Sequence, residues 1–289
     1  MMKTTLSFWS SYFRELPFEE AVESFMQHDI HAVELSSEHG KELMGRDGDY
    51  LKTAKQIRAF LHKKSFTVTQ GHLPLHFKIA TDREKALPEV LRYIDFYEAI
   101  GVKNLVLHCD RLYAFPEMGK AERFHENIIS LSVIAEHIKN KDIYICLENL
   151  RQPNAYPARE PLPLGHAEDL LKLIEATGSD RFAICLDTGH LNLVADPDQA
   201  HFIRTAGKHL RALHIADNQN LDNLDEHLMP FGRGKVDFFA VVKALREIDY
   251  EGMFNFEVPG ESQCPIPIRH AKLEYIKCCY DYLMTAEME

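Results

Sequence analysis

The chain contains no apolar run long enough to span a membrane, so no part of it is expected to cross a bilayer. Its first residues, Met1-Met2-Lys3-Thr4-Thr5-Leu6-Ser7, lack the apolar segment of a secretory signal. Positive charge is in short supply: 33 Lys and Arg stand against 44 Asp and Glu, a net charge of −11. A broad non-specific nucleic-acid surface needs the opposite balance, so a nucleic-acid partner is not expected. None of the six cysteines has zinc-finger spacing. Cys109, Cys146 and Cys185 lie within or just after apolar runs, and the set reads as reduced thiols of a cytoplasmic protein. Also missing is a glycine-rich phosphate cradle after the first apolar run, since Thr5–Trp9 leads straight into Ser10-Ser11-Tyr12. That argues against an open doubly wound nucleotide-binding sheet. No internal repeat and no low-complexity linker divides the 289 residues. What is present is ordinary globular composition, 45% hydrophobic and 27% charged, together with a high count of 16 histidines.

Apolar runs alternate with stretches of helical spacing along the whole chain. The runs predict strands over Thr5–Trp9, Ala32–Ser36, Thr67–His72, Asn104–His108, Ile143–Glu148, Phe182–Asp187, Ala212–Ala216 and Met253–Val258. Helices are predicted over Phe18–His28, Tyr50–Lys63, Arg83–Ile100, Lys120–Asn140, Ala167–Thr177, Asp198–His209, Phe238–Ile248 and Pro267–Met284. Gly101 and Gly178 follow two of these helices, and Asp237 is placed to cap another. Eight strands and eight helices in this length predict an α/β fold, a single-domain (β/α)8 TIM barrel over residues 1–289. Residues two before the polar strand ends (Gln70, Val106, Cys146, Cys185, Ala212 and Asn255) are small to medium, as a barrel interior requires.

The strand ends carry the chemistry. They present His72, His108, Glu148, Asp187 followed by His190, His214 and Glu257. Each has a bland reading: Asp187 can cap a helix, His72 can be a loop residue before Leu73-Pro74, and His108 can be a core histidine. In a barrel, however, the C-terminal strand ends meet at one face. Converging imidazoles and carboxylates must be neutralised, and a divalent cation does so directly. Mixed nitrogen and oxygen donors suit Zn²⁺, Mn²⁺, Co²⁺ or Fe²⁺ better than Ca²⁺. Glu148, Asp187, His214 and Glu257 are therefore the expected metal ligands. Asp225 and His227, on the loop after His214, can add ligands or be part of a solvated acidic loop. In the same loop Gly232 and Gly234 permit close backbone approach, and Arg233 and Lys235 can meet a substrate anion or be plain surface charges.

Glu-Asn-Leu at 148–150, Leu-Asp-Thr-Gly-His at 186–190, His-Ile-Ala-Asp-Asn at 214–218 and Phe-Glu-Val at 256–258 resemble the xylose isomerase-like superfamily. That group includes sugar and sugar-phosphate isomerases and epimerases, hydroxypyruvate isomerase, inosose dehydratase and endonuclease IV. The resemblance implies one divalent metal on Glu148, Asp187, His214 and Glu257, catalytic proton transfer by Glu148 and Glu257, and substrate contact by His190. In endonuclease IV the site is trinuclear, and its extra ligand positions match His72, His108, His190, Asp225 and His227. The expected cofactor is thus one metal ion, with residues enough for up to three.

The implied reaction is isomerisation or epimerisation of a sugar or sugar phosphate through an ene-diolate, with the two glutamates as acid and base. The alternatives are an inosose dehydratase-like lyase, an endonuclease IV-like zinc phosphodiesterase and a non-catalytic sugar-binding protein. The expected partner is a small-molecule carbohydrate, and a homo-oligomer is compatible with the acidic surface. Trp9, Phe8, Phe77, Phe115 and Tyr156 can wall the pocket or simply pack. Pro153–Pro163, with Arg151 and Arg159, can form a lid or a loop with no role.

Overall fold

The computed structural model describes residues 3–46, 48–151, 164–221 and 224–286. Its strands are β1 (Thr5–Trp9), β2 (Ala32–Leu35), β3 (Thr67–His72), β4 (Asn104–Leu107), β5 (Tyr144–Glu148), β6 (Phe182–Asp187), β7 (Leu210–His214) and β8 (Met253–Phe256). They form one eight-stranded sheet in the order β7-β6-β5-β4-β3-β2-β1-β8, with every paired neighbour parallel. Closure comes just past the end of β7. The Ile215 amide donates to the Asn255 carbonyl at 2.8 Å, and the Glu257 amide to the Ile215 carbonyl at 3.1 Å. The chain is a single (β/α)8 barrel, as its alternating pattern predicts. Among the described residues no helix is long and apolar enough to cross a membrane.

Local signals set the element ends. Gly101 (φ 119°) and Gly178 (φ 63°) end the helices Arg83–Ile100 and Ala167–Thr177 in the left-handed region. The Asp237 carboxylate caps Phe238–Glu247 by accepting the Ala240 amide. Several element bounds differ from the sequence reading. Ser36 does not extend β2; its hydroxyl caps an additional helix, Ser37–Met44, whose interior Gly40 weakens the helical pattern. Gly207, at φ 48°, stops a helix at Ala206 and diverts the chain into a 3-10 turn over Gly207–His209. β4, β7 and β8 also end earlier than expected, so His108 and Glu257 stand one residue beyond β4 and β8.

The pleat sorts the side chains between two cores. Outward-facing Phe8, Val33, Leu105, Leu147, Ile184, Leu213 and Phe256 pack beneath the helices in the large apolar core. Each such side chain contributes roughly 1.5–3 kcal/mol on leaving water. Val106, Cys146, Ala183, Cys185 and Ala212 make a separate small cluster inside the barrel. Small residues belong there, because the interior of an eight-stranded barrel is only wide enough to be filled by side chains. The same alternation puts the residues two further on, above this layer, at the C-terminal mouth.

Candidate metal centre

Parallel register brings the mouth residues together: Glu148 pairs with Cys185 across β5 and β6, and Asp187 with His214 across β6 and β7. As a result one donor atom each from Glu148, Asp187, His214 and Glu257 lies within 4.8 Å of the others. Asp187 caps a helix with one oxygen and keeps the other within the cluster. Its Oδ1 accepts the His190 amide at 2.6 Å, capping the short helix Thr188–Leu191, while Oδ2 is buried with no partner. Asn149 holds the Asp187 backbone in place, donating to its carbonyl at 3.0 Å and accepting its amide at 2.7 Å. His214 Nδ1 is likewise buried and unpartnered, 3.3 Å from Glu148 Oε2 and 3.2 Å from Glu257 Oε2. Two orphaned buried donors facing two carboxylates are costly for folding alone. They fit a divalent cation, which needs both lone pairs.

Two further groups flank this set and share its residues: His72, His108 and Glu148 on one side, and Asp187, His190 and His227 on the other. Glu148 thereby meets four imidazoles, from His72 at 3.3 Å, His108 at 2.8 Å, His190 at 3.0 Å and His214 at 3.3 Å. Asp225 joins from its loop, reaching His190 at 3.2 Å and His227 at 3.5 Å. Backbone carbonyls orient three of the rings. His72 Nδ1 donates to Leu73 O at 2.6 Å, His190 Nδ1 to Asn149 O at 3.0 Å and His227 Nδ1 to Glu257 O at 2.8 Å. His72 then turns Nε2 to Glu148 and His227 turns Nε2 to Asp225, whereas His190 has Nε2 on Asp225 and keeps Nδ1 3.0 Å from Glu148 Oε1.

The electrostatics push the two glutamates apart. Burial disfavours charge on Glu148, yet His108 and His214 hold its carboxyl well below the ordinary carboxylate range. Burial pushes Glu257 up to about 7, where His214 and His227 pull it back only in part and Glu148 and Asp187 add to the rise. Burial also drives His108 down to about 4. Against its own burial, His227 is lifted to about 10 by Glu257 and Asp225. The site thus balances its carboxylates with imidazole protons.

All nine residues expected from the strand ends and their loop therefore meet at one mouth. The other sequence expectations fare differently. Trp9 closes β1, partly buried, with its backbone paired to Glu34. Arg233 is turned outward, its side chain 69% exposed and paired with Glu226 at 3.3 Å. The reason lies in its neighbour: a Cβ on Gly234 would fall 2.0 Å from the Asp217 carboxyl, and this tight wrap leaves Arg233 on the solvent side. Phe8 is no pocket wall but sits at 0% exposure against Phe25 and Phe256. Phe77 packs on Tyr93, and Phe115 is exposed. Tyr156, Arg159 and the suggested lid over Pro153–Pro163 lie outside the described residues, while Arg151 pairs with Asp225 at 3.2 Å.

The sequence reading missed Glu34, in the middle of β2. It is fully buried, and its Oε2 lies 2.8 Å from His214 Nε2. The available signal was a charged residue inside the otherwise apolar run Ala32-Val33-Glu34-Leu35.

Comparison with known proteins gives the family. The model of the xylose isomerase-like TIM barrel matches residues 25–277. An L-ribulose 3-epimerase of Methylomonas sp. (strain DH-1) is 26% identical over 198 residues, 65% of this chain and 64% of that one. A probable endonuclease 4 of Mycoplasmopsis synoviae (strain 53) is 27% identical over 187 residues, 61% of this chain and 63% of that one. The chain spans 54% and 44% of the length of two further curated relatives, both uncharacterized. A D-psicose 3-epimerase solved in the presence of D-fructose superposes with a TM-score of 0.74 at 16% identity, over 98% of this chain and 100% of that one. At that identity the likeness is one of fold.

Proposed function

The chain belongs to the xylose isomerase-like TIM-barrel family, and from that premise we propose that it is a divalent-metal-dependent isomerase or epimerase of a sugar or sugar phosphate. The observation that carries the reading is the pair of orphaned atoms, Asp187 Oδ2 and His214 Nδ1, enclosed with the Glu148 and Glu257 carboxylates. These four residues would hold the ion. Once bound, it supplies Lewis acidity to a substrate carbonyl and its neighbouring hydroxyl.

The chain's own residues supply the proton traffic. Two carboxylates whose proton affinities are pushed in opposite directions form an acid–base pair. Glu148, held ionised by its imidazoles, takes the carbon-bound proton. Glu257, raised to about 7, returns one to a second carbon or to the opposite face. His190, fixed between Asn149 O and Asp225, is placed to hold a substrate hydroxyl.

A second reading has its own observation. The flanking groups His72–His108–Glu148 and Asp187–His190–His227 give room for a second and third ion, which phosphodiester hydrolysis of the endonuclease 4 kind would use. Metal content of the purified chain separates the two. About one equivalent, with exchange of a ketose carbon-bound proton into D₂O, supports the isomerase. Two to three equivalents of zinc, with cleavage of an abasic-site duplex and no exchange, replaces it. A chain that takes up no metal after reconstitution sinks both.

A further inference from the structure

Four of the site histidines have one ring nitrogen hydrogen-bonded to a backbone carbonyl or to a residue outside the donor cluster, and they divide three to one. His72, His190 and His227 use Nδ1 on backbone carbonyls, an anchor that survives any change of side chain. His214 is reversed: Nε2 is the tied nitrogen and Nδ1 faces the ligand cluster. Its anchor is a side chain, the Glu34 carboxylate, reached across the barrel from β2 to β7.

We propose that Glu34 is the positioning residue of this centre, accepting the Nε2–H of His214 so that the ring is held with its Nδ1 lone pair on the central ion. The inference rests on the metal reading above. Three observations carry it. Glu34 belongs to none of the clustered donor groups among the described residues, so it is not itself a ligand. It is gripped in turn: Gln70, its register partner on β3, donates Nε2 to the same Oε2 and also to Leu213 O at 3.2 Å, directly beside His214. Its Oε1 has no partner in the protein. A fully buried carboxylate with one oxygen unsatisfied is a poor device for stability, since an apolar residue of similar volume would serve the fold as well or better. As an outer partner it fixes ring orientation and tautomer and raises the basicity of the coordinating nitrogen.

The test is Co²⁺ titration of the metal-stripped full chain, followed by its visible absorption. Glu34→Gln preserves volume and an acceptor but removes the charge. It should bind Co²⁺ roughly 10–100-fold more weakly than wild type, with a shifted band, while its circular dichroism is unchanged. Cys146→Ala, in the small interior cluster and in none of the clustered donor groups, should bind as wild type does. Binding by Glu34→Gln within twofold of wild type, with the same spectrum, overturns this proposal alone. A wild-type chain that takes up no Co²⁺, Mn²⁺ or Zn²⁺ overturns the metal reading and this inference with it. Should Glu34→Gln fail to fold, a crystal structure of the metal-loaded wild type decides: Nδ1 of His214 on the ion and Nε2 on Glu34 supports the proposal, and ligation through Nε2 overturns it.

Discussion

Strands β4 to β7 line the barrel's interior with Val106, Cys146, Cys185 and Ala212, whereas β8, β1, β2 and β3 line it with Asn255, Ser7, Glu34 and Gln70. The first arc is uncharged and packs as a small closed cluster, with only Cys185 reaching His214. The second is hydrogen-bonded along its length: Ser7 donates to Asn255 at 2.8 Å, Gln70 to Glu34, and Glu34 accepts from His214. It is also incompletely satisfied, with Glu34 Oε1, Gln70 Oε1 and Asn255 Nδ2 lacking protein partners. Burying such atoms costs stability that an apolar arc would not lose. The difference teaches that the two arcs answer to different demands. One serves the fold, and the other serves the donors standing one layer above it.

The largest effects should come from that upper layer. Glu148→Gln and Glu257→Gln should each keep the barrel and lose turnover by about 10²–10⁴-fold, the usual loss for a removed acid or base. Exchange of a substrate carbon-bound proton into D₂O measures this, and retention of full exchange by the double variant would break the acid–base assignment.

A stability effect of intermediate size distinguishes Glu257 from ordinary carboxylates. Its folded-state pKa is raised from 4.5 to about 7, so the folded chain holds this proton more tightly than the unfolded chain does. The resulting stabilisation is complete below about pH 4.5 and is lost as pH rises through about 7. In metal-stripped protein, Glu257→Gln should therefore gain on the order of 3 kcal/mol relative to wild type between pH 4 and pH 8. Urea unfolding at the two pH values reads the difference, and a gain on going down in pH would reverse the sign and refute the origin given.

The uncharged arc should respond more weakly and in one property only. Cys146→Ala removes a buried sulfur and should cost about 1 kcal/mol in thermal unfolding. Its Co²⁺ affinity should be unchanged; a fall comparable to that of Glu34→Gln would erase the distinction between the arcs.

The two arcs also differ in how far they could be read from sequence. Cys146 and Cys185 were placed inside the barrel because each lies two residues before an ionisable strand end, and alternation does the rest. Glu148, Asp187, His214 and Glu257 were legible for the same reason: a carboxylate or imidazole where an apolar run stops needs an explanation. Glu34 stops no run. A glutamate within a four-residue strand has the spacing of a solvent-facing position, and only closure of the barrel turns that face inward. The helix Ser37–Met44 was hidden by Gly40, whose close approach to Tyr97 is a tertiary demand that no local pattern announces. His190 and Asp225 were legible as residue types, but their meeting depends on loop geometry that spacing does not encode.

Arg233 marks the smallest expected effect. A cation between two glycines at the mouth reads as a substrate clamp, yet its guanidinium is mostly exposed and its partner is Glu226 at 3.3 Å. An exposed pair of this kind is worth about 0.2–1 kcal/mol, so Arg233→Ala should leave thermal stability nearly unchanged. Turnover on the substrate found by the D₂O screen should also stay within twofold of wild type. The contrasting change is Gly234→Ala, whose Cβ would collide with Asp217 and displace the loop that carries Asp225 and His227. If the backbone rather than the charge matters in this loop, the glycine variant loses metal affinity and the arginine variant does not. A tenfold rise in KM for Arg233→Ala, with kcat unchanged, would mean that the loop turns inward over the substrate. The reading would then favour a phosphorylated sugar, with Arg233 as the group that meets its phosphate.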